Sequence, residues 1–194
     1  MNTLTIPQRF KLTPEQFDEL ANFNRDVNME LTAQGELMVM PPTGGTAGRK
    51  NRRLTQQLGI WTDLDGTGES FDSSTTFILP NGARRSPDCS WIKLDRWNAL
   101  TPSQQDGFPP IAPDFIIELV SPSDLTNQRY EDLQAKMQEY LDNEVRLGWL
   151  IDSVSKRVEI YRLGEAVEIL QNPKTLKGEN VLPGFVLDLE PIWS

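Results

Sequence analysis

Read alone, the 194-residue sequence points to an α/β protein, an α+β arrangement in which helices flank a mixed β-sheet. The segment "APDFIIELV" is a short, β-rich apolar run opened by proline, the mark of a strand buried on both faces. After it, Gln128 to Asp142 places Tyr130, Leu133, Met137, Tyr140 and Leu141 at helical spacing. "RLGWLIDS" then reads as a second apolar strand, and strand, crossing helix and strand together imply a parallel pair within a larger sheet. With no internal repeat, low-complexity tract or linker, residues 1–194 read as a single domain.

The other elements follow from local signals. Thr13-Pro14-Glu15-Gln16 combines an N-cap, a proline at the first helical position and a capping-box glutamine, so a helix is expected to about Asn22. "MELTAQGELMVM" reads as two short strands about an Ala33-Gln34-Gly35 turn. "PPTGGT" is a loop, and a helix from about Ala47 to Leu64 carries Leu54, Leu58 and Trp61 on one face. "TTFILPNGARRSPDCSWIKL" reads as a hairpin folded at Pro80-Asn81-Gly82, with Asp88 near the start of its second strand. "TPSQQDGFPPIAP" reads as a polar, proline-rich loop, and Asp124 as the start of a turn or helix. "KRVEIYRL" and "EAVEIL" add two strands, and "VLPGFVLDLEPIW" closes the chain.

Composition narrows the chemistry. No histidine is present, which excludes serine–histidine triads and histidine–zinc sites, and the single Cys89 excludes an internal disulfide. A bound metal would need oxygen ligands, favouring Mg²⁺ or Mn²⁺. No window is apolar enough to cross a bilayer and no signal-peptide pattern opens the chain, so no membrane association and a cytoplasmic location are expected. The net charge of −9 is the wrong sign for a nonspecific polyanion binder, so a nucleic-acid partner would need a local basic patch. Arg49, Lys50, Arg52 and Arg53 in "GRKNRRL", with Arg84 and Arg85, are the candidates, although a solvated helix face explains the first four equally well.

Glu118 is out of place in its strand, because an unpaired ionised carboxylate inside an apolar core costs several kcal/mol, roughly. "RSPDCSWI" and "IAPDFIIELV" each set Pro-Asp before an apolar strand. If the two strands are neighbours, Asp88 and Glu118 converge, and a divalent cation between them would relieve their repulsion. Strand alternation puts Asp114 on the same face as Glu118, in a supporting position. A lysine two residues after Glu118 would complete a hydrolytic set, but Val120 stands there, which leaves Lys136 on the next helix to reach the carboxylates. The blander roles are a Glu118 paired with Arg84 or Arg85, an Asp88 that caps a turn, and a Lys136 paired on the surface with Asp132 or Glu139. Glu30 is a weaker candidate for a third carboxylate.

"PTGG", "LPNGARRSPD", "PDFIIELVSPSD", "KMQEYLDN", "LGWLID", "VEIYR" and "VLPGFVLDL" occur in this order. Together, from about Leu31 onward, they resemble the Uma-two family of restriction endonucleases, cyanobacterial-type members of the PD-(D/E)XK nuclease superfamily. The resemblance implies a restriction-endonuclease-like core, a four-stranded mixed sheet flanked by helices, with additional C-terminal strands. It also implies magnesium-dependent endonuclease activity on DNA. Asp88 matches the aspartate of the first motif and Glu118 the acid of the second, both metal-binding. Val120 departs from the superfamily lysine as the family's own Glu-x-Val variant does, and Lys136 matches the family's helix lysine. Many members carry a histidine after "PTGG", where this chain reads "TAG". That departure, with the acidic net charge, supports an alternative: a catalytically inactive nuclease-fold module binding nucleic acid or a protein partner. A homodimer is expected only because a duplex offers two strands to cut.

Overall fold

The computed structural model describes residues 10–121 and 127–194, so the expectation for Asp124 lies outside the described residues. Helix α1 (Pro14–Phe23) begins at the anticipated capping box, with the Gln16 amide donating to Thr13 Oγ1 at 3.3 Å and the Thr13 amide to Gln16 Oε1 at 2.9 Å. Strands β1 (Met29–Leu31) and β2 (Leu37–Val39) form the first hairpin. Helix α2 (Gly45–Asp65) follows the "PPTGG" loop and stops at Gly66, whose left-handed backbone (φ 68°) closes the helix. Strand β3 (Gly68–Asp72), for which nothing was expected, comes next.

The expected hairpin around Asn81 forms only in part. Strands β4 (Phe77–Ile78) and β5 (Arg84–Arg85) pair with each other, but the second arm breaks before β6 (Cys89–Lys93), which joins a different sheet. The break has a local cause: the Ser86 amide leaves the ladder to donate to Glu30 Oε1 at 2.9 Å, and Pro87 has no amide hydrogen. The polar segment read as a loop also contains structure. After α3 (Leu94–Asn98), Thr101 and Gln104 make a second capping box that starts α4 (Pro102–Asp106). The remaining elements are β7 (Phe115–Leu119), α5 (Asn127–Asp142), β8 (Leu147–Asp152), β9 (Arg157–Arg162), β10 (Glu168–Gln171), β11 (Thr175–Lys177), β12 (Val186–Asp188) and α6 (Glu190–Trp193).

Among the described residues, the main sheet has six strands in the order β10-β9-β8-β7-β6-β3, a four-stranded run β8-β7-β6-β3 extended, as expected, by β9 and β10 from the C-terminal part of the chain. Strands β7 and β8 are parallel, linked across α5 as the apolar pattern required, and every other neighbouring pair is antiparallel. A second sheet, β2-β1-β5-β4, stands apart from it. Alternation along β7 sends its side chains to two cores. Phe115, Ile117 and Leu119 pack with Leu54 and Leu58 of α2 and with Phe185, Leu187 and Ile192, while Ile116 and Val120 pack with Met137, Tyr140 and Leu141 of α5. This is the restriction-endonuclease-like arrangement, a mixed sheet between helices. No helix among the described residues is long and apolar enough to cross a membrane.

Two glycines of the main sheet mark close approaches. On β8, a Cβ at Gly148 would meet Met137 Cε of α5 at 2.8 Å and Ile116 Cδ1 at 3.2 Å. On β3, a Cβ at Gly68 would fall on the Trp91 indole and the Ile92 carbonyl, which cannot both move aside. Gly68→Ala should therefore lower the unfolding free energy by about 2 kcal/mol, the scale of core overpacking. Gly45→Ala, in open space within α2, should be neutral or stabilising by up to about 1 kcal/mol. Urea denaturation of both variants checks the contrast; equal effects would contradict it.

Candidate active site

The register of β6 on β7 pairs Cys89 with Ile117, Ser90 with Ile116 and Trp91 with Phe115. Carried one residue further, it sets Asp88 opposite Glu118. Both Asp88 oxygens are held: Oδ2 accepts from the Leu119 amide at 2.8 Å, and Oδ1 accepts from Asn51 Nδ2 of α2 at 2.7 Å. Glu118 projects to the α5 side of the sheet and is only 6 % exposed. Two groups from α5 meet its Oε1, the Lys136 ammonium at 2.7 Å and the Tyr140 hydroxyl, which donates at 3.0 Å.

Lys136 is shared. Its Nζ also donates to Glu30 Oε1 at 2.8 Å, and Glu30 comes from β1 of the second sheet. Glu30 accepts as well from the Ser86 amide and, through Oε2, from Arg85 at 2.9 Å. Arg85 in turn pairs with Glu139 of α5 at 2.6 Å. Four carboxylates, Asp88, Glu118, Glu30 and Glu139, therefore share a cluster whose cations are Lys136 and Arg85.

The charges are unevenly balanced. Burial raises the Glu118 carboxyl to about 7; Lys136 opposes this, while repulsion from Asp88 and Glu30 adds to it. Burial also pushes Asp88 up, against the pull of the Leu119 amide, Lys136 and Asn51. Glu30 behaves oppositely, because Lys136 and Arg85 together outweigh its burial and hold it below the usual range. For Lys136, burial would depress the ammonium, but Glu118 and Glu30 override it and keep it charged.

Asp88 and Glu118 are thus short of solvent chiefly through burial, and each carboxylate oxygen has lone pairs beyond the hydrogen bonds named. The side-chain oxygen of Asn51, beside Asp88, is buried without a hydrogen-bond partner. A hard divalent cation fits that donor chemistry, since magnesium is commonly held by one or two carboxylates with water and phosphate completing its shell. No group of three or more histidine, cysteine, aspartate or glutamate side chains placed to hold a metal ion occurs among the described residues. The carboxylates alone make at most a two-ligand site.

The sequence matches the family model Uma2, described as "Putative restriction endonuclease", over residues 14–190. The chain belongs to the Uma2 family. A solved structure described as a putative nuclease belonging to DUF820, from Anabaena variabilis ATCC 29413, superposes with a TM-score of 0.76 at 18% sequence identity. That likeness covers 94% of this chain and 97% of the other, and it bears on the fold. No curated protein matches the chain.

Within this Uma2 protein, Asp88, Glu118 and Lys136 come together. Glu118 pairs with Lys136, which turns inward to it and to Glu30. Asp114 sits at the opposite end of β7, where it accepts from the Lys93 amide and pairs with Arg96 at 2.9 Å, so it anchors the strand entrance away from Glu118. The expected basic patch is largely occupied by internal contacts. Arg84 is buried in a pair with Asp18, and Arg85 in the pairs described above. Arg49 donates to the Ser194 carbonyl, Arg53 to the Pro191 carbonyl and Lys50 to Ser153 Oγ. Arg52, whose exposed guanidinium donates to Gln56, keeps a solvent-facing charge. Glu30, weighed only as a weaker candidate, is part of the cluster, and Asn51 and Arg85 join it from segments valued only for their charge.

The raised Glu118 pKa carries a pH signature. In the window from about 4.5 to about 7 the folded chain keeps a proton that the unfolded chain releases, so this group's stabilisation is full below the window and lost as pH rises through it. Glu118→Gln, which stays neutral, should gain on wild type by on the order of 2 kcal/mol between pH 4.5 and 8. Urea unfolding in metal-free buffer measures this. A wild type that gains on the variant with rising pH would refute the assignment.

Proposed function

We propose that the protein is a magnesium-dependent endonuclease that hydrolyses phosphodiester bonds in DNA. The observation that supports this most is the convergence of Asp88, just before β6, with Glu118 of β7 and Lys136 of α5, in a member of a family described as "Putative restriction endonuclease". Asp88 and Glu118 hold Mg²⁺, and Mn²⁺ can replace it. When bound, the ion offsets the carboxylate repulsion, polarises a phosphoryl oxygen and lowers the pKa of water.

The remaining work belongs to side chains. Lys136 keeps its charge through Glu30 and presents it where negative charge grows on the phosphate. Tyr140 donates to Glu118 and fixes the rotamer from which that carboxylate binds. Glu30 holds the lysine through a second ion pair, so the position of the ammonium does not depend on Glu118 alone. Asp114 has no part in this chemistry, and Arg84 and Arg85 act through the fold. Contact with DNA phosphates falls to Arg52 and to the rest of the α2 N-terminal half, Arg49, Lys50 and Arg53, where strand binding displaces their present contacts.

One observation favours a second reading. Lys136 is already engaged by two carboxylates at 2.7 and 2.8 Å, and an ion cluster of this kind also suits a non-cleaving, fold-retaining module. Plasmid cleavage with and without Mg²⁺ separates the two readings. Asp88→Asn and Glu118→Gln should each reduce cleavage by about 100-fold or more, the scale of losing one preorganised charged group. Asp88→Asn should also lose the rise in thermal stability that Mg²⁺ gives the wild type, whereas Lys136→Met should lose cleavage and keep it. Cleavage at equal rates by wild type and all variants would exclude this site as its source.

A further inference from the structure

We infer that Asn51 is a third protein ligand of the cation site, its side-chain carbonyl oxygen binding the same ion as Asp88 and Glu118. The inference rests on the proposed metal-dependent chemistry for the ion and on three features of the site for the residue. Asn51 lies in the second turn of α2, and its Nδ2 donates to Asp88 Oδ1 at 2.7 Å. That bond fixes the amide, because the flipped orientation would set oxygen against a carboxylate oxygen. The Oδ1 atom it leaves is buried and has no hydrogen-bond partner.

An orphaned buried carbonyl is costly, and in a native site it usually marks a bound water or ion. Here it stands beside Asp88, whose other oxygen is held by the Leu119 amide on the strand that carries Glu118. Asparagine carbonyls are common oxygen ligands for hard cations, so one amide and two carboxylates make the third donor that the acidic residues alone lack. Asn51 also lines a surface depression along α2, with Arg52, Thr55, Gln56, Asp72 and Ser73. With no histidine in the chain, an amide is among the few neutral side chains able to fill this role.

The test uses Tb³⁺ as a hard-ion probe and needs no turnover. Luminescence lifetimes in H₂O and D₂O count the waters directly on the ion, and titration gives its affinity, for wild type, Asn51→Ala, Asn51→Asp and Asp88→Asn. Asn51→Ala should bind about tenfold more weakly and carry one additional water. Asn51→Asp, which restores an oxygen donor, should recover the wild-type water count. If Asn51→Ala keeps both affinity and hydration while Asp88→Asn loses binding, Asn51 only braces Asp88 and the inference fails alone. If Asn51→Ala weakens binding without an added water, the amide acts through a water and direct ligation is wrong. A wild type that binds neither Tb³⁺ nor Mg²⁺ removes the cation site itself, and the nuclease reading with it. Circular dichroism of each variant separates loss of binding from loss of fold.

Discussion

The ammonium of Lys136, 2.7 Å from Glu118 and 2.8 Å from Glu30, is what permits two carboxylates to sit inside the fold beside Asp88. Strand β7 is buried along all five residues, so Glu118 has little water to solvate it. Removing one member of such a pair typically costs about 3–5 kcal/mol, because the remaining charge stays buried and unpaired. The lysine comes from α5, and α5 reaches the sheet by packing Met137 and Tyr140 on Ile116 and Val120. Charge placement and core packing are therefore one event: the helix cannot dock without delivering its cation, and the carboxylates cannot be tolerated without the helix.

The second sheet enters through the same contact. Glu30 of β1 and Arg85 of β5 carry the network from Lys136 to Glu139, so α5 is gripped by ion pairs from both sheets and by apolar contacts from the main one. This use of charge also explains how a chain of net charge −9 holds several of its basic residues away from solvent. Arg84, Arg85 and Lys136 neutralise buried acids, while Arg49 and Arg53 fasten the residues around Ser194 to α2. A run of basic letters reports charge but not direction, and here most of the run points at the protein.

Much of the main sheet was legible because its signals are local. The period of α5, the apolar run of β7 and the capping box at Thr13 each specify their element from a few adjacent residues. The pairing of Asp88 with Glu118 followed from two similar segments and needed only that they be neighbours. Other features depended on contacts distant in sequence. The break at Ser86 follows from an acceptor on Glu30, and the role of Glu30 follows from where β1 docks. Asn51 carried no periodic or charge signal, and only the buried state of its amide oxygen marks it. Helix α4 is different: Thr101-Pro102 and Gln104 repeat the signature seen at Thr13, and the surrounding prolines and polar residues masked it.

Gly148 has no functional group, yet it is where Met137 of α5 comes down on β8. A Cβ there would press first on Met137 Cε, the free end of a flexible side chain, and then on Ile116 Cδ1, so the core would answer by turning side chains before the helix moved. Met137 follows Lys136 in the chain, and its give cushions the residue that carries the charge against changes on the neighbouring strand.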